Sequence, residues 1–197
     1  MLALVTGGQG FVGSHLCARL TAEGHRVRVL ARPSSRLDNL AGLDVQLVRA
    51  DVTEAAGLAA AVAGCDVVFH VAAALKGLRE QDLFLINADG TRNIATASAA
   101  ATPRPARFVY VSSMAAAGPS PGGRAPRTED MPPRPLTWYG CSKLAGEDAV
   151  RSTAGLEWTI VRPPIVFGPR ERDVLGYFRL ARRGWLPLVG RSDRFYS

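Results

Sequence analysis

One lysine in this chain follows a tyrosine by four positions, in Tyr139-Gly140-Cys141-Ser142-Lys143, and the sequence holds one other lysine, Lys76, among its 24 basic residues. Residues four apart share a face of a helix, so the pair sets an ammonium one turn from a phenol. An unperturbed phenol titrates at about 10 and is a poor base at neutral pH. A neighbouring ammonium favours the phenolate and brings it into range for taking a proton from an alcohol or returning one to a carbonyl. A chain so committed to arginine that keeps lysine here has use for a compact point charge rather than a planar fork. Upstream, Ser112-Ser113 close an apolar run at 108–111, and a hydroxyl there can bond the same reacting oxygen.

A second chemistry stands at the start of the chain. The apolar run at 2–5 breaks into Thr6-Gly7-Gly8-Gln9-Gly10-Phe11-Val12-Gly13, with a helix-forming stretch at 14–20 behind it. Glycine at 7, 10 and 13 lets the backbone turn, approach a pyrophosphate and pack the new helix on the strand, while the helix N–H groups face the phosphates. The pattern is that of a dinucleotide site, with the spacing Gly-x-x-Gly-x-x-Gly in place of the commoner Gly-x-Gly-x-x-Gly.

These residues need a frame, and strand and helix signals alternate along the chain. Strands are predicted at 2–5, 26–30, 45–48, 67–71, 108–111 and 158–161, and helices at 14–20, 55–63, 87–101 and 139–151. That alternation makes an α/β fold, a doubly wound parallel Rossmann sheet with helices on both faces. Residues 118–136, rich in Pro and Gly with Arg124, Arg127 and Arg134, interrupt it at the sheet's carboxyl edge and read as a substrate-side flap. Residues 174–183 look helical, and 186–189 form a short apolar segment.

In this order, over nearly the whole chain, the segments resemble the extended branch of the short-chain dehydrogenase/reductase superfamily, the NAD(P)-dependent epimerase/dehydratase family. The nearest likeness is to its dihydroflavonol reductase and 3β-hydroxysteroid dehydrogenase groups. The resemblance places Gly7, Gly10, Phe11, Val12 and Gly13 in the cofactor loop and implies a Ser113-Tyr139-Lys143 triad, with Lys143 also bonding the nicotinamide ribose. Ser113 rather than Ser112 takes the catalytic place by its offset of five from Gly118; Ser112 falls to the cofactor side. Asp51-Val52 matches the adenine-contacting pair, Ala72-Ala73 the motif lying along the cofactor, and Pro163, Ile165 and Val166 the segment whose backbone meets the nicotinamide amide. Asn87, in Asn87-Ala88-Asp89-Gly90-Thr91-Arg92-Asn93, would be a fourth catalytic member holding water or substrate.

The implied function is an NAD(P)-dependent oxidoreductase moving hydride between nicotinamide and a carbonyl or secondary alcohol. A nucleotide-sugar epimerase or dehydratase with tightly held NAD uses the same triad. Epimerases usually carry Tyr where this chain has Ala117, and dehydratases often carry Asp-Glu or Thr-Glu where it has Met114-Ala115, which favours a reductase. A third reading, a non-catalytic NAD(P)-binding regulatory protein, should have lost a triad member. NADP is expected over NAD, because Arg32 and Arg36 follow the second strand with no acid before Asp38, and arginine suits a 2′-phosphate. A homodimer is expected through the helices at 95–101 and 144–150.

Composition sets the remaining bounds. With 197 residues, 47% of them hydrophobic, the chain can bury one ordinary core. Residues 1–169 are assigned to the dinucleotide-binding domain and 170–197 to the start of a substrate-binding region that is largely absent. The net charge of +7 is spread over scattered arginines, without the basic run or aromatic interleaving of a nucleic-acid binder. No apolar run reaches the about 20 residues that span a bilayer. Three widely spaced cysteines, Cys17, Cys65 and Cys141, suggest packing residues in a reducing cytoplasm. No metal cluster is expected; His70 is expected to be packed and backbone-bonded, and His15 and His25 to lie at the surface.

Overall fold

A computed structural model describes residues 1–77, 79–120 and 126–185. Six strands form one sheet: β1 (Leu2–Thr6), β2 (Arg26–Ala31), β3 (Val45–Arg49), β4 (Val67–His70), β5 (Arg107–Val111) and β6 (Trp158–Val161). All neighbours are parallel, in the order β3-β2-β1-β4-β5-β6. Side chains alternate across a strand, and a parallel sheet is covered on both sides. In β1 all five residues are accordingly buried. Leu2 and Leu4 join a core with Val68, Ile94, Phe108, Tyr110 and Val150 on one face, while Ala3 and Val5 join Cys17, Leu20, Val27 and Val29 on the other.

Helix α1 (Phe11–Ala22) covers the second face; α2 (Leu58–Val62), α4 (Gly90–Ala100) and α6 (Trp138–Arg151) cover the first. Crossovers therefore wind in opposite directions from β1 and from β4. At that switch point the carboxyl ends of the two strands diverge and leave a crevice for a ligand.

Several helices differ from the expected spans. The helix expected at 87–101 starts upstream as α3 (Glu80–Phe84) and passes through a π-type turn, Leu85–Asp89, before α4. Asp82 caps α3 by accepting from the Arg79 N–H at 3.2 Å. The π turn adds a residue to one winding and breaks the 3.6-residue periodicity from which the helix is read. α1 begins at Phe11 because Gly10 takes the N-cap, and α2 is shorter than expected because Gly57, at φ +83, precedes it. An extra turn, α5 (Met114–Ala117), follows β5, capped by Ser113 and stopped by Gly118 at φ +80. Residues 118–120 and 126–136 of the flap carry no helix or strand, and 121–125, with Arg124, lie outside the described residues, as does the segment at 186–189. α7 (Leu175–Arg182) forms where 174–183 looked helical. No helix among the described residues is long and apolar enough to cross a membrane.

Candidate active site

The glycine loop joins β1 to α1 at the switch point. Gly7 turns the chain at φ +69, and the Gly10 N–H donates to Gly7 O at 2.9 Å. A Cβ on Gly13 would lie 2.2 Å from Gly7 O, so no side chain fits where α1 meets the loop. Gly10 caps α1 without a side-chain bond, and the first turn holds no acid. The N–H groups of that turn are left without intrahelical acceptors at the positive end of the helix. Open donors, positive potential and a cradle that any Cβ would fill suit the pyrophosphate of a dinucleotide.

The other expected cofactor residues line the same sheet edge. Ala72 and Ala73 follow β4, and the Ala72 N–H donates to Thr6 Oγ1 at 3.2 Å. Asp51 follows β3, its Oδ1 accepting from the Thr53 N–H and hydroxyl, each at 2.9 Å; Val52 beside it is buried. Arg32 and Arg36 lie on the exposed loop after β2, where Arg36 pairs with Asp38 at 2.7 Å. Gln9 and Asn39 tie that loop to the glycine turn, through Gln9 Nε2 to Ser35 Oγ at 3.3 Å and Asn39 Nδ2 to Gln9 O at 3.0 Å. Beyond β6, Pro163 O accepts from the Met114 N–H at 3.0 Å, and Ile165 and Val166 are exposed.

Of the expected triad, Ser113 opens α5 and Tyr139 and Lys143 lie on α6. Ser113 caps α5, its Oγ accepting from the Ala115 N–H at 3.1 Å. Thr137 caps α6 by accepting from the Gly140 N–H at 3.0 Å, which sets Tyr139 in the helix's first turn. Tyr139 is half-buried and lines a cavity of about 470 Å³ with Leu75, Lys76, Leu83, Leu136 and Trp138. Burial raises its phenol above the ordinary value, and the Ser113 hydroxyl facing it draws the value back down. Lys143 is 1% exposed; its Nζ donates to Val111 O at 2.9 Å and stands 4.3 Å from the centre of the Tyr110 ring. Burial pulls its pKa down to about 7, with Glu147 one turn on opposing the fall. The ammonium expected to act on Tyr139 is thus committed to the end of β5.

Two expected residues are buried. Asn87 is fully buried: its Oδ1 accepts from the Ala74 N–H at 2.8 Å, and its Nδ2 donates to Ala74 O and Ser142 Oγ, each at 2.9 Å. These bonds tie the β4 exit to α6. The Ser112 hydroxyl, expected on the cofactor side, turns inward and donates to Glu147 Oε1 at 2.7 Å.

His70 is packed as expected, but its partners are side chains. Nδ1 lies 2.6 Å from Thr6 Oγ1 and Nε2 lies 2.9 Å from Thr91 Oγ1. Thr91 already donates to Asn87 O at 2.7 Å, so it accepts from Nε2–H, and Nδ1 accepts from Thr6. Burial, and secondarily the Lys143 charge, push the His70 pKa down to about 3, so the ring is neutral. Cys17 and Cys65 are buried and free, and Cys141 is half-buried.

Glu147 was not singled out in the sequence. It is fully buried and accepts from Arg162 Nε at 2.7 Å, Arg162 Nη2 at 2.6 Å and Arg151 Nη2 at 2.8 Å, besides Ser112. Burial alone would raise its pKa, but bonds from Arg162, Ser112 and Arg151 hold it below the carboxylate range. The signal was its place four residues after Lys143, which puts both on one inward face of α6.

Comparison with known proteins agrees with this architecture. The chain is 37% identical over 191 residues to a ceramide reductase of Caulobacter vibrioides, covering 96% of this chain and 54% of that protein. It is 35% identical over 216 residues to a UDP-glucose 4-epimerase of Mycolicibacterium smegmatis, covering 100% of this chain and 66% of that one. A crystal structure of the UDP-glucuronic acid 4-epimerase from Bacillus cereus in complex with NAD superposes with a TM-score of 0.78 at 28% identity, covering 93% of this chain and 63% of that one. The chain spans about half the length of most of the curated relatives it matches. Residues 3–183 match the NAD dependent epimerase/dehydratase family, and the chain belongs to that family of nicotinamide-dependent enzymes.

Proposed function

We propose that this chain forms the cofactor-binding and proton-transferring half of a reductase that acts on an apolar carbonyl compound. The observation that carries the reading is the surroundings of Tyr139: Ser113 faces it, and it borders an open pocket in which Leu75, Leu83, Leu136 and Trp138 stand beside Lys76, Gly77 and Thr137. A site that recognises a nucleotide-sugar needs many hydroxyl and phosphate partners, and besides Tyr139 itself only Lys76, already paired with Asp173, and Thr137, which caps α6, offer polar side chains there. Bound nicotinamide dinucleotide supplies hydride exchange with a carbonyl or secondary-alcohol carbon.

The residues have separable tasks. The N–H groups that open α1 hold the pyrophosphate, and Asp51-Val52 take the adenine end. Ser113 bonds the reacting oxygen and fixes it against Tyr139. The Tyr139 hydroxyl gives its proton to that oxygen during reduction and takes it back in the reverse direction. Lys143, held to the β5 end by Val111 O, presents positive charge on the ribose side. Since Arg36 is paired with Asp38, Arg32 is the residue that meets a 2′-phosphate, and NADP(H) is preferred. Two chains associate through the outward faces of α4 and α6, so light scattering should give a dimer mass.

The test uses the full-length protein, assayed for NADPH-dependent reduction of apolar ketones and for interconversion of nucleotide-sugars. Tyr139→Phe should lower ketone reduction by about 100-fold or more, the usual loss for a positioned acid. Calorimetric affinity for NADPH should stay close to the parent's. Interconversion of a nucleotide-sugar without net cofactor oxidation, or an active Tyr139→Phe, would reject the reading.

A further inference from the structure

Glu147 has no part in the chemistry just described, yet it accepts four hydrogen bonds in a fully buried position. The donors sort by what they carry. Ser112 is the residue before Ser113, at the end of β5; Arg162 is the residue before Pro163, just past β6; and Glu147 itself lies one helical turn beyond Lys143. Backbone bonds join the same two strand ends, from the Ser112 N–H to Val161 O at 2.7 Å and from the Met114 N–H to Pro163 O at 3.0 Å. One carboxylate therefore stands where the chain segments bearing the serine, the lysine and the post-β6 loop converge.

We propose that Glu147, clamped by Arg162, is a positioning residue that locks these three segments into one unit and supplies the negative charge that buried Lys143 faces. The proposal rests on the Ser113-Tyr139-Lys143 reading above. A buried carboxylate is costly unless it is paired and hydrogen-bonded, and Arg162 meets it with a two-pronged fork. The other groups packed on Lys143 bring no anion. His70, on β4, is neutral; burial keeps Tyr110, on β5, un-ionised; Tyr139, on α6, is likewise above its ordinary value. On the far side of Glu147 are Arg151 and Arg162, with Glu129 acting on Arg162 from the flap. Glu147 and Lys143 are both buried and lie one turn apart on the same face of α6, which makes Glu147 the nearest carboxylate along that helix.

The scarcity of lysine makes this directly measurable. Protein labelled in its lysines gives side-chain NMR signals for Lys76 and Lys143, assigned by their loss in Lys76→Arg and in Lys143→Arg. In the parent, Lys143 should titrate far below an ordinary lysine. In Glu147→Gln its midpoint should fall by a further pH unit or more, while Lys76, paired with Asp173 at the surface, stays in place. Removing one partner of a buried pair can unfold a protein. The double variant Glu147→Gln with Arg162→Gln therefore replaces the pair by two amides, leaving the packing and removing the charge. It should fold, and its Lys143 midpoint should lie below that of Arg162→Gln alone, in which the same arginine is missing and the carboxylate remains. An unchanged midpoint in folded Glu147→Gln, or equal midpoints in the double variant and Arg162→Gln, assigns Glu147 to stability alone and overturns the proposal. The measurement needs no substrate, so an active Tyr139→Phe would reject the triad and leave the Glu147–Lys143 coupling to be judged separately.

Discussion

Gly13 shows how far one residue's chemistry can be read from its type. Its place in a Gly-x-x-Gly-x-x-Gly turn predicts close packing of helix on loop, and a Cβ there would stand 2.2 Å from Gly7 O and 2.8 Å from Gly7 C and Gly8 Cα. These are backbone atoms, so the contact is relieved only by moving the loop proposed to cradle the pyrophosphate. Gly13→Ala should weaken NADPH binding at least ten-fold by calorimetry, a loss of about 1.4 kcal/mol. Affinity within two-fold of the parent would mean that the loop is not the phosphate site. The proposed roles of Tyr139 and Lys143 rest on a similar reading of types and spacing, and that of Ser113 on the family resemblance. The surroundings of Lys143 were not. Val111 O and the Tyr110 ring reach it from β5, more than thirty positions away in sequence, and only the fold brings them there. The partners of Asn87 were hidden on the same account, because Ala74 and Ser142, on other elements, bond its amide.

Among the elements, strands were easier to place than helix boundaries. The central strands β1 and β4 are short apolar runs ending in a turn, and burial on both faces makes such runs continuous, whereas β2 alternates and the edge strands β3 and β6 are largely exposed. The α3–α4 region defeated the same approach because the π turn between them shifts the apolar face. That turn is held from inside: Thr91 Oγ1 donates to Asn87 O at 2.7 Å and accepts from His70, and Tyr110 OH reaches Asn87 O at 3.4 Å. Thr91→Val keeps the shape and deletes the hydroxyl, leaving the His70 Nε2–H buried without an acceptor. It should cost about 1–3 kcal/mol in urea unfolding. Because the π turn carries Asn87, which anchors the β4 exit through Ala74, Thr91→Val should also weaken dinucleotide binding by a smaller factor than Gly13→Ala. A variant as stable as the parent would show that the hydroxyl relay does not hold the turn.

At the scale of the whole molecule, the alternation of strands and helices implied a parallel doubly wound sheet, but the position of its switch point depends on which strands pair. That is decided by the core: Leu4 and Val68 on one face and Val5 on the other seat β4 against β1. The join is also where His70 lies buried against Phe108 and Tyr110, with ring centres 6.0 and 5.6 Å away. Its pKa of about 3 in the fold lies far below the ordinary value of about 6.5 expected in the unfolded chain. Between those values the unfolded chain binds a proton that the native protein refuses, so stability rises with pH across the window. The contribution is fully present above about 6.5 and is lost as pH falls toward 3, at up to about 1.4 kcal/mol per pH unit. Glu147 adds loss in the same direction, but only below its ordinary value of 4.5. Lys143, held down to about 7 in the fold, adds a loss of the same sign until the pH has fallen to about 6. Urea midpoints measured from pH 6 to pH 5 therefore isolate His70. The parent should weaken steadily over that range, and His70→Gln, an amide that cannot be protonated there, should start less stable at pH 6 and decline with a shallower slope. A parent flat from pH 6 to 5, or an equal slope in His70→Gln, would mean that the ring is not held neutral at the join of the two halves of the sheet.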